Sequence, residues 1–200
     1  MNSVVIDIET TNLGAVGAGI VLCVCIRPTS TGRTRTFRLD QYEFKANSKE
    51  FGIVEREETQ LLKDVAAELQ KYDVLIGHNL IRFDVPYLKS RAFQRELSMP
   101  PVVIYDTLTA FRRTNYLTVQ NRFGKPSAGL DMVADFLHVK QLKTKIYPYD
   151  WWETIWAKES RRIEAMNEIV EHCVRDCRLN ANVFPYLWAA DPRPALKKVY

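Results

Sequence analysis

The stretch Val4-Val5-Ile6-Asp7-Ile8-Glu9-Thr10-Thr11 (VVIDIETT) decides how the rest of the chain is read. Its β-branched run predicts a strand over residues 3–8. Side chains alternate across a strand, so Asp7 and Glu9 share one face while Val4, Ile6 and Ile8 share the other. Two like charges held that close repel. A bound cation would turn the repulsion into ligation.

Outward from this strand, residues 19–27 (GIVLCVCIR) and 33–39 (RTRTFRL) predict two more strands, joined through Pro28-Thr29-Ser30-Thr31-Gly32 as an antiparallel meander. Leu61, Leu62, Val65, Ala66 and Leu69 repeat with helical spacing over residues 59–71. A short buried strand follows at Val74-Leu75-Ile76, then a helix over 84–97 and a strand at 102–105 ending at Asp106. Ser127 reads as the cap of a helix running to about residue 138, and residues 161–188 carry a long helical pattern. Residues 114–126 and 139–150 are loop-rich and basic. The expected fold is therefore a mixed α/β sheet, a meander plus parallel strands, flanked by helices in one domain over residues 1–200.

With 46% apolar and 26% charged residues, the chain is of ordinary globular composition, which excludes disordered and fibrous classes. The net charge of +4 is unevenly spread: residues 82–145 hold 11 basic and 5 acidic side chains, whereas residues 1–81 hold 9 and 11. A basic middle suits either a phosphate backbone or solvated helix faces. No cationic start leads into an apolar run, and the longest apolar stretch, from Ala15 to Ile26, falls short of the roughly 18 residues of a membrane helix. A cytosolic protein with no membrane association is expected. Cys23, Cys25, Cys173 and Cys177 lack the usual zinc-finger spacing, so reduced, buried thiols are expected rather than a structural zinc module.

The chemistry-bearing residues are acids at element ends. Asp7 and Glu9 lie on the first strand, Asp84 closes IGHNLIRFD (residues 76–84), and Asp176 sits in EHCVRDC (residues 171–177) on the long helix. Carboxylates meeting in space hold hard divalent cations. Taken in order, VVIDIETT, IGHNLIRFDVPYL and a late helical acid resemble the three motifs of the DEDD-type 3′–5′ exonucleases, which include proofreading domains of DNA polymerases and have a ribonuclease H-like fold. YDTL (105–108) and SAGLDMVADFL (127–137) resemble the family's connecting segments.

The resemblance implies that Asp7, Glu9, Asp84 and Asp176 bind two ions, Mg²⁺ or Mn²⁺, and that the enzyme releases nucleoside 5′-monophosphates from the 3′ end of DNA or RNA, preferring single strands. It places Thr10, Leu13, Asn79 and Phe83 near the substrate. Leu13 reads either as a wedge against terminal bases or as a core leucine, and Phe83 either as a stacking ring or as a buried anchor. One branch of the family has Tyr four residues before the last acid, and the other has His five before it. Here His172 stands four before Asp176 and Glu171 five before. Positions i and i+4 share a helix face, so His172 fills the tyrosine's slot, where an imidazole would orient or deprotonate water. The competing role is a surface or supporting histidine.

Arg82, Lys89, Arg91, Arg112, Arg113, Arg122, Lys125, Lys140, Lys143 and Lys145 are candidate phosphate contacts, with Phe123 beside two of them. The expected partners are a single-stranded nucleic acid and a polymerase or repair complex acting in trans. The alternative is a catalytically decayed nucleic-acid-binding module of the same fold.

Overall fold

The structure, a computed structural model, describes residues 2–17, 19–42, 51–114, 128–140, 146–147, 149–194 and 196–199; side chains of residues 51–57 and 196–199 are outside the description. The expected meander is present. Strand β1 (Ser3–Thr10) pairs antiparallel with β2 (Val21–Pro28), which pairs antiparallel with β3 (Arg35–Arg38). On its other side β1 pairs in parallel with β4 (Val74–Gly77), β4 in parallel with β5 (Val102–Asp106), and β5 antiparallel with a terminal strand β6 (Leu196–Val199). The order is β3-β2-β1-β4-β5-β6, a mixed sheet as read from the pattern.

Helices cover both faces. Helix α1 (Phe51–Leu69) and helix α2 (Asp84–Gln94) lie on the side of Val4, Ile6 and Ile8. Helices α3 (Thr107–Thr114), α4 (Leu130–Phe136), α5 (Asp150–Trp156) and the long α6 (Glu159–Ala190) gather on the face of Val5, Asp7 and Glu9. Helix α1 begins eight residues before the expected 59, because the charged run EREE at 55–58 interrupts the apolar stripe. Helices α3 and α5 and strand β6 were not expected, while Ser127 lies outside the described residues and Gly129 precedes α4.

Helix α6 shows how the site is positioned. Its buried residues Ile169, Cys173, Cys177 and Asn180 form one stripe against the sheet. The thiols are small enough to bring the helix close: Cys173 Sγ donates to the Asp7 carbonyl and Cys177 Sγ to the Cys25 carbonyl, each at 3.3 Å. All four cysteines are free and buried, as expected, and serve packing. His172 and Asp176 each precede a stripe cysteine by one residue and are only half-buried, on the rim of the contact.

The opposite face is fastened by a buried ion pair. Glu58 and Arg91 are fully buried; Arg91 donates to Glu58 through Nη2 at 2.5 Å and Nε at 2.8 Å, and the Val21 N–H donates to the same carboxylate at 2.9 Å. Arg91 Nη1 also donates to the Ala15 carbonyl at 3.1 Å, tying the β1–β2 loop to α2. Arg91 therefore serves the core, and the expectation that it touches phosphate is corrected: a 1% exposed guanidinium with a full set of acceptors cannot reach a solvent strand.

Removing one member of such a pair strands the other charge in the interior. Glu58→Ala should lower the unfolding free energy by about 3–5 kcal/mol in urea titrations. A loss below about 1 kcal/mol, the ceiling for a surface pair, would contradict this role.

Candidate active site

Strand β4 ends at Gly77, level with the middle of β1, so among the described residues the second half of β1 has no strand beside it on that side. A side chain at Gly77 would meet the Ile6 carbonyl at 2.7 Å, and only glycine allows the chain to turn there. The turn continues through Asn79, whose φ of 66° is left-handed, a conformation asparagine tolerates. It delivers Asp84 to the start of α2. The Ile8 N–H, left without a strand partner, donates to Asp84 Oδ1 at 3.2 Å. One hydrogen bond thus satisfies a buried backbone donor and sets Asp84 beside Asp7 and Glu9.

Asp176 approaches from α6. His172, one turn earlier, places Nε2 3.8 Å from both Glu9 Oε1 and Asp176 Oδ2. The four predicted acids and His172 are therefore brought to one place from β1, α2 and α6. Burial and crowding make their charges unfavourable. The Asp7 carboxyl is held far above the ordinary carboxylate range by burial, then by the charges of Asp84, Glu9 and Asp176. Glu9 is pushed up to about 8 by burial, against a lowering hydrogen bond from Trp151, with Asp176 and Asp84 adding to the rise. Asp84 rises to about 7 through burial, opposed by the N–H groups of its own residue and Ile8. Asp176 is raised by burial, opposed by His172.

Trp151 is the site residue that sequence reasoning missed. Its indole Nε1 donates to Glu9 Oε2 at 2.7 Å. Helix α5 holds it there through Arg161, which pairs with Asp150 at 2.8 Å and with Glu153 at 2.7 Å. The available signal was the spacing of Trp151, Thr154 and Ile155, inward at helical intervals in DWWETIW.

Among the described residues, no three His, Cys, Asp or Glu side chains are closed tightly enough to grip an ion as they stand. Glu9 is held by its partners, with Trp151 Nε1 at 2.7 Å and His172 Nε2 at 3.8 Å. The donor set is nevertheless what a hard divalent cation requires: buried carboxylate oxygens whose charges lack neutralisation. Cys173 and Cys177 are engaged with backbone carbonyls and Cys25 with Thr36 Oγ1, and among the described residues the thiols form no comparable zinc site.

Beside the acids opens a cleft of about 410 Å³ lined by Glu9, Leu13, Phe83, Ile146 and Trp151 among others. Leu13 is 87% exposed at the tip of the β1–β2 loop, which removes the core-leucine alternative. Phe83 combines its two readings: it packs on Tyr87 with ring centroids 5.5 Å apart and also lines the cleft. Thr10 is buried and donates to the Asn12 carbonyl at 2.6 Å, shaping the loop at the cleft wall. Asn79 is half-buried, and its carbonyl accepts from the Arg82 and Phe83 N–H groups. His78 bridges Thr107 Oγ1 at 3.1 Å and the Ala128 carbonyl at 2.8 Å, a structural role.

Of the basic candidates, Arg82, Arg112 and Lys140 are exposed. Arg113 is engaged by Asp191 at 2.6 Å and is corrected as a phosphate contact, while Lys89 is half-buried beside a small apolar pocket under α2. Arg122, Phe123, Lys125, Lys143 and Lys145 lie outside the described residues.

A family model for the RNase H superfamily matches residues 4–188. The chain belongs to the RNase H superfamily. The mixed sheet with flanking helices is the RNase H-like fold, and members of the superfamily typically use divalent metals. A family B DNA polymerase from the hyperthermophilic archaeon Pyrobaculum calidifontis is similar in structure, with a TM-score of 0.59 and 18% identity over 95% of this chain and 25% of that one. The chain thus spans a quarter of the polymerase's length and shares the fold of one region. No curated protein matches the chain. Among the described residues no helix is long and apolar enough to cross a membrane.

Raised carboxyl proton affinity stabilises the folded state while the groups are protonated. That contribution is complete below the ordinary values of 3.8 and 4.5 and is lost as pH rises through about 7 and 8. In chelator, Asp7→Asn should exceed the parent in stability at pH 8 by at least about 1 kcal/mol, roughly 2–4 °C in Tm for a chain of this length, and the gap should close at pH 4. Equal Tm values at both pH values would show that the acids do not repel one another.

Proposed function

We propose that the protein is a metal-dependent 3′–5′ exonuclease that hydrolyses phosphodiester bonds of single-stranded nucleic acid and releases nucleoside 5′-monophosphates. The observation that carries this reading is the convergence of Asp7, Glu9, Asp84 and Asp176, with His172 between Glu9 and Asp176, at the mouth of a cleft that ends in an exposed Leu13. The resemblance of VVIDIETT and IGHNLIRFDVPYL to exonuclease motifs supports the direction of attack. The shared fold with a region of a DNA polymerase agrees with a polymerase or repair complex as partner.

Asp7, Glu9, Asp84 and Asp176 would hold two Mg²⁺ or Mn²⁺ ions. Such a pair supplies a water acidified for attack and a counter-charge for the leaving oxygen. The chain's own groups do the rest. Trp151 fixes one Glu9 oxygen, and the Ile8 N–H fixes one Asp84 oxygen, so both carboxylates are held in place from the protein side. His172 Nε2, equidistant from Glu9 and Asp176, orients the attacking water and takes its proton while the imidazole is neutral. Leu13 and Phe83 present apolar surface to the terminal base and separate it from its neighbour. Asn79, at the turn leading to Asp84, lies on the strand's approach.

A second reading is a nucleic-acid-binding module of the same fold without turnover. The open arrangement of the acids favours it, and the same assay separates the two. With 5′-labelled DNA and RNA oligomers in Mg²⁺ or Mn²⁺, the parent should give a ladder shortening from the 3′ end, and Asp84→Asn should give none. His172→Ala should lose about 10²–10⁴-fold, the usual contribution of a positioned base, while His172→Tyr retains most of the rate. Binding without a ladder would establish the second reading. A fully active His172→Ala would remove the imidazole from the mechanism.

A further inference from the structure

The acids have a second neighbour that the cleft does not include. On the far side of Asp176, Arg175, Arg178, Leu179 and Asn182 of α6 line a shallow groove of about 50 Å³, with Lys140 as its other bank. These helix positions follow i, i+3, i+4 and i+7, so they form one face running along the axis. From Asp176 to Asn182 the groove advances about 9 Å, at 1.5 Å per residue. Arg178 and Lys140 are exposed. Arg175 already pairs with Glu171, which leaves Arg178 and Lys140 as the principal cations.

The two sides of the acid cluster therefore differ in chemistry. Toward Glu9 the walls are apolar: Leu13, Phe83, Ile146 and Trp151. Toward Asp176 they are cationic and polar. The two ends of a strand around its last phosphodiester differ in the same sense. The terminal nucleoside brings a base and no phosphate beyond the scissile one, whereas each nucleotide before it brings another anionic phosphate.

We propose that the Lys140–Arg178–Asn182 groove is a phosphate-binding subsite for the nucleotides on the 5′ side of the scissile bond. Lys140 and Arg178 neutralise the first phosphates upstream, and the Asn182 amide donates to a phosphate oxygen. The groove orients the strand so that its terminus, not its interior, enters the apolar cleft. Contacts of this kind position the strand without reading its bases. The assignment to a scissile bond rests on the exonuclease reading; the groove as a strand-binding surface does not.

The test is the double variant Lys140→Gln/Arg178→Gln, whose substitutions are at exposed positions. Two measurements are made. The first is hydrolysis of a single-stranded oligonucleotide against that of a dinucleotide, which has no upstream phosphate. The second is oligonucleotide affinity against salt, with Ca²⁺ in place of Mg²⁺. The variant should show KM raised roughly tenfold on the oligonucleotide, the loss of two phosphate contacts, with dinucleotide hydrolysis unchanged. The plot of log Kd against log salt should become shallower by about 1.4, at about 0.7 per contact on single strands. Equal losses on both substrates, or an unchanged salt slope, would overturn the subsite. If the parent degrades neither substrate, the exonuclease reading fails by itself. The salt slope then decides the groove: shallower in the variant supports it, while an unchanged slope or no binding by the parent removes it.

Discussion

Four carboxylates are crowded into a part of the protein where burial disfavours their charge, and the local architecture follows from how that crowding is arranged. Asp7 and Glu9 point to the same side because a strand alternates. Asp84 joins them because β4 stops short and leaves the Ile8 N–H in need of an acceptor. Asp176 joins them because a stripe of small cysteines lets α6 approach β1 closely enough for a thiol to reach the Asp7 carbonyl. Each step solves a packing or hydrogen-bonding problem, and together they leave an electrostatic one. The proton affinities of Asp7, Glu9 and Asp84 are raised by burial first, and those of Asp7 and Glu9 further by the neighbouring acids. A divalent cation would relieve this more completely than protons near neutral pH.

The same arrangement explains the different surroundings of the site. The β1–β2 loop, held to α2 by Arg91 and the Ala15 carbonyl, can expose Leu13 because its base is anchored in the interior. Helix α5, clamped to α6 by Arg161, supplies Trp151 from the opposite wall. The α6 surface beyond Asp176 faces away from the sheet and carries cations. A polyanion with one aromatic end matches that sequence of surfaces, from apolar cleft through acids to basic groove.

Much of this was legible in the sequence. Strands β1, β2, β4 and β5 announce themselves through runs of branched residues, and α6 through a stripe that persists over its whole length. The acids were legible because their order and local motifs along the chain match a known pattern. The rest was hidden for physical reasons. Helices α3 and α5 are eight and seven residues long, too short for a periodic stripe to stand out. Trp151 acts through its indole N–H, and aromatic residues in a mixed stretch read equally well as core. Arg91 looked like one more member of a basic segment, since its partner Glu58 lies 33 residues earlier, and nothing local marks a long-range pair. The histidines divide in a similar way. His172 could be placed by its spacing to Asp176, whereas the partners of His78 come from distant segments.

The account stands on the four acids acting as one cation site, and the most direct measurement is the binding of Mn²⁺ followed by electron paramagnetic resonance at pH 8. The parent should bind two ions per chain whose spectra show that they are close neighbours, and Asp84→Asn should lose the coupled signal while remaining folded. A parent that binds no Mn²⁺, or an Asp84→Asn protein with an unaltered coupled spectrum, would contradict it.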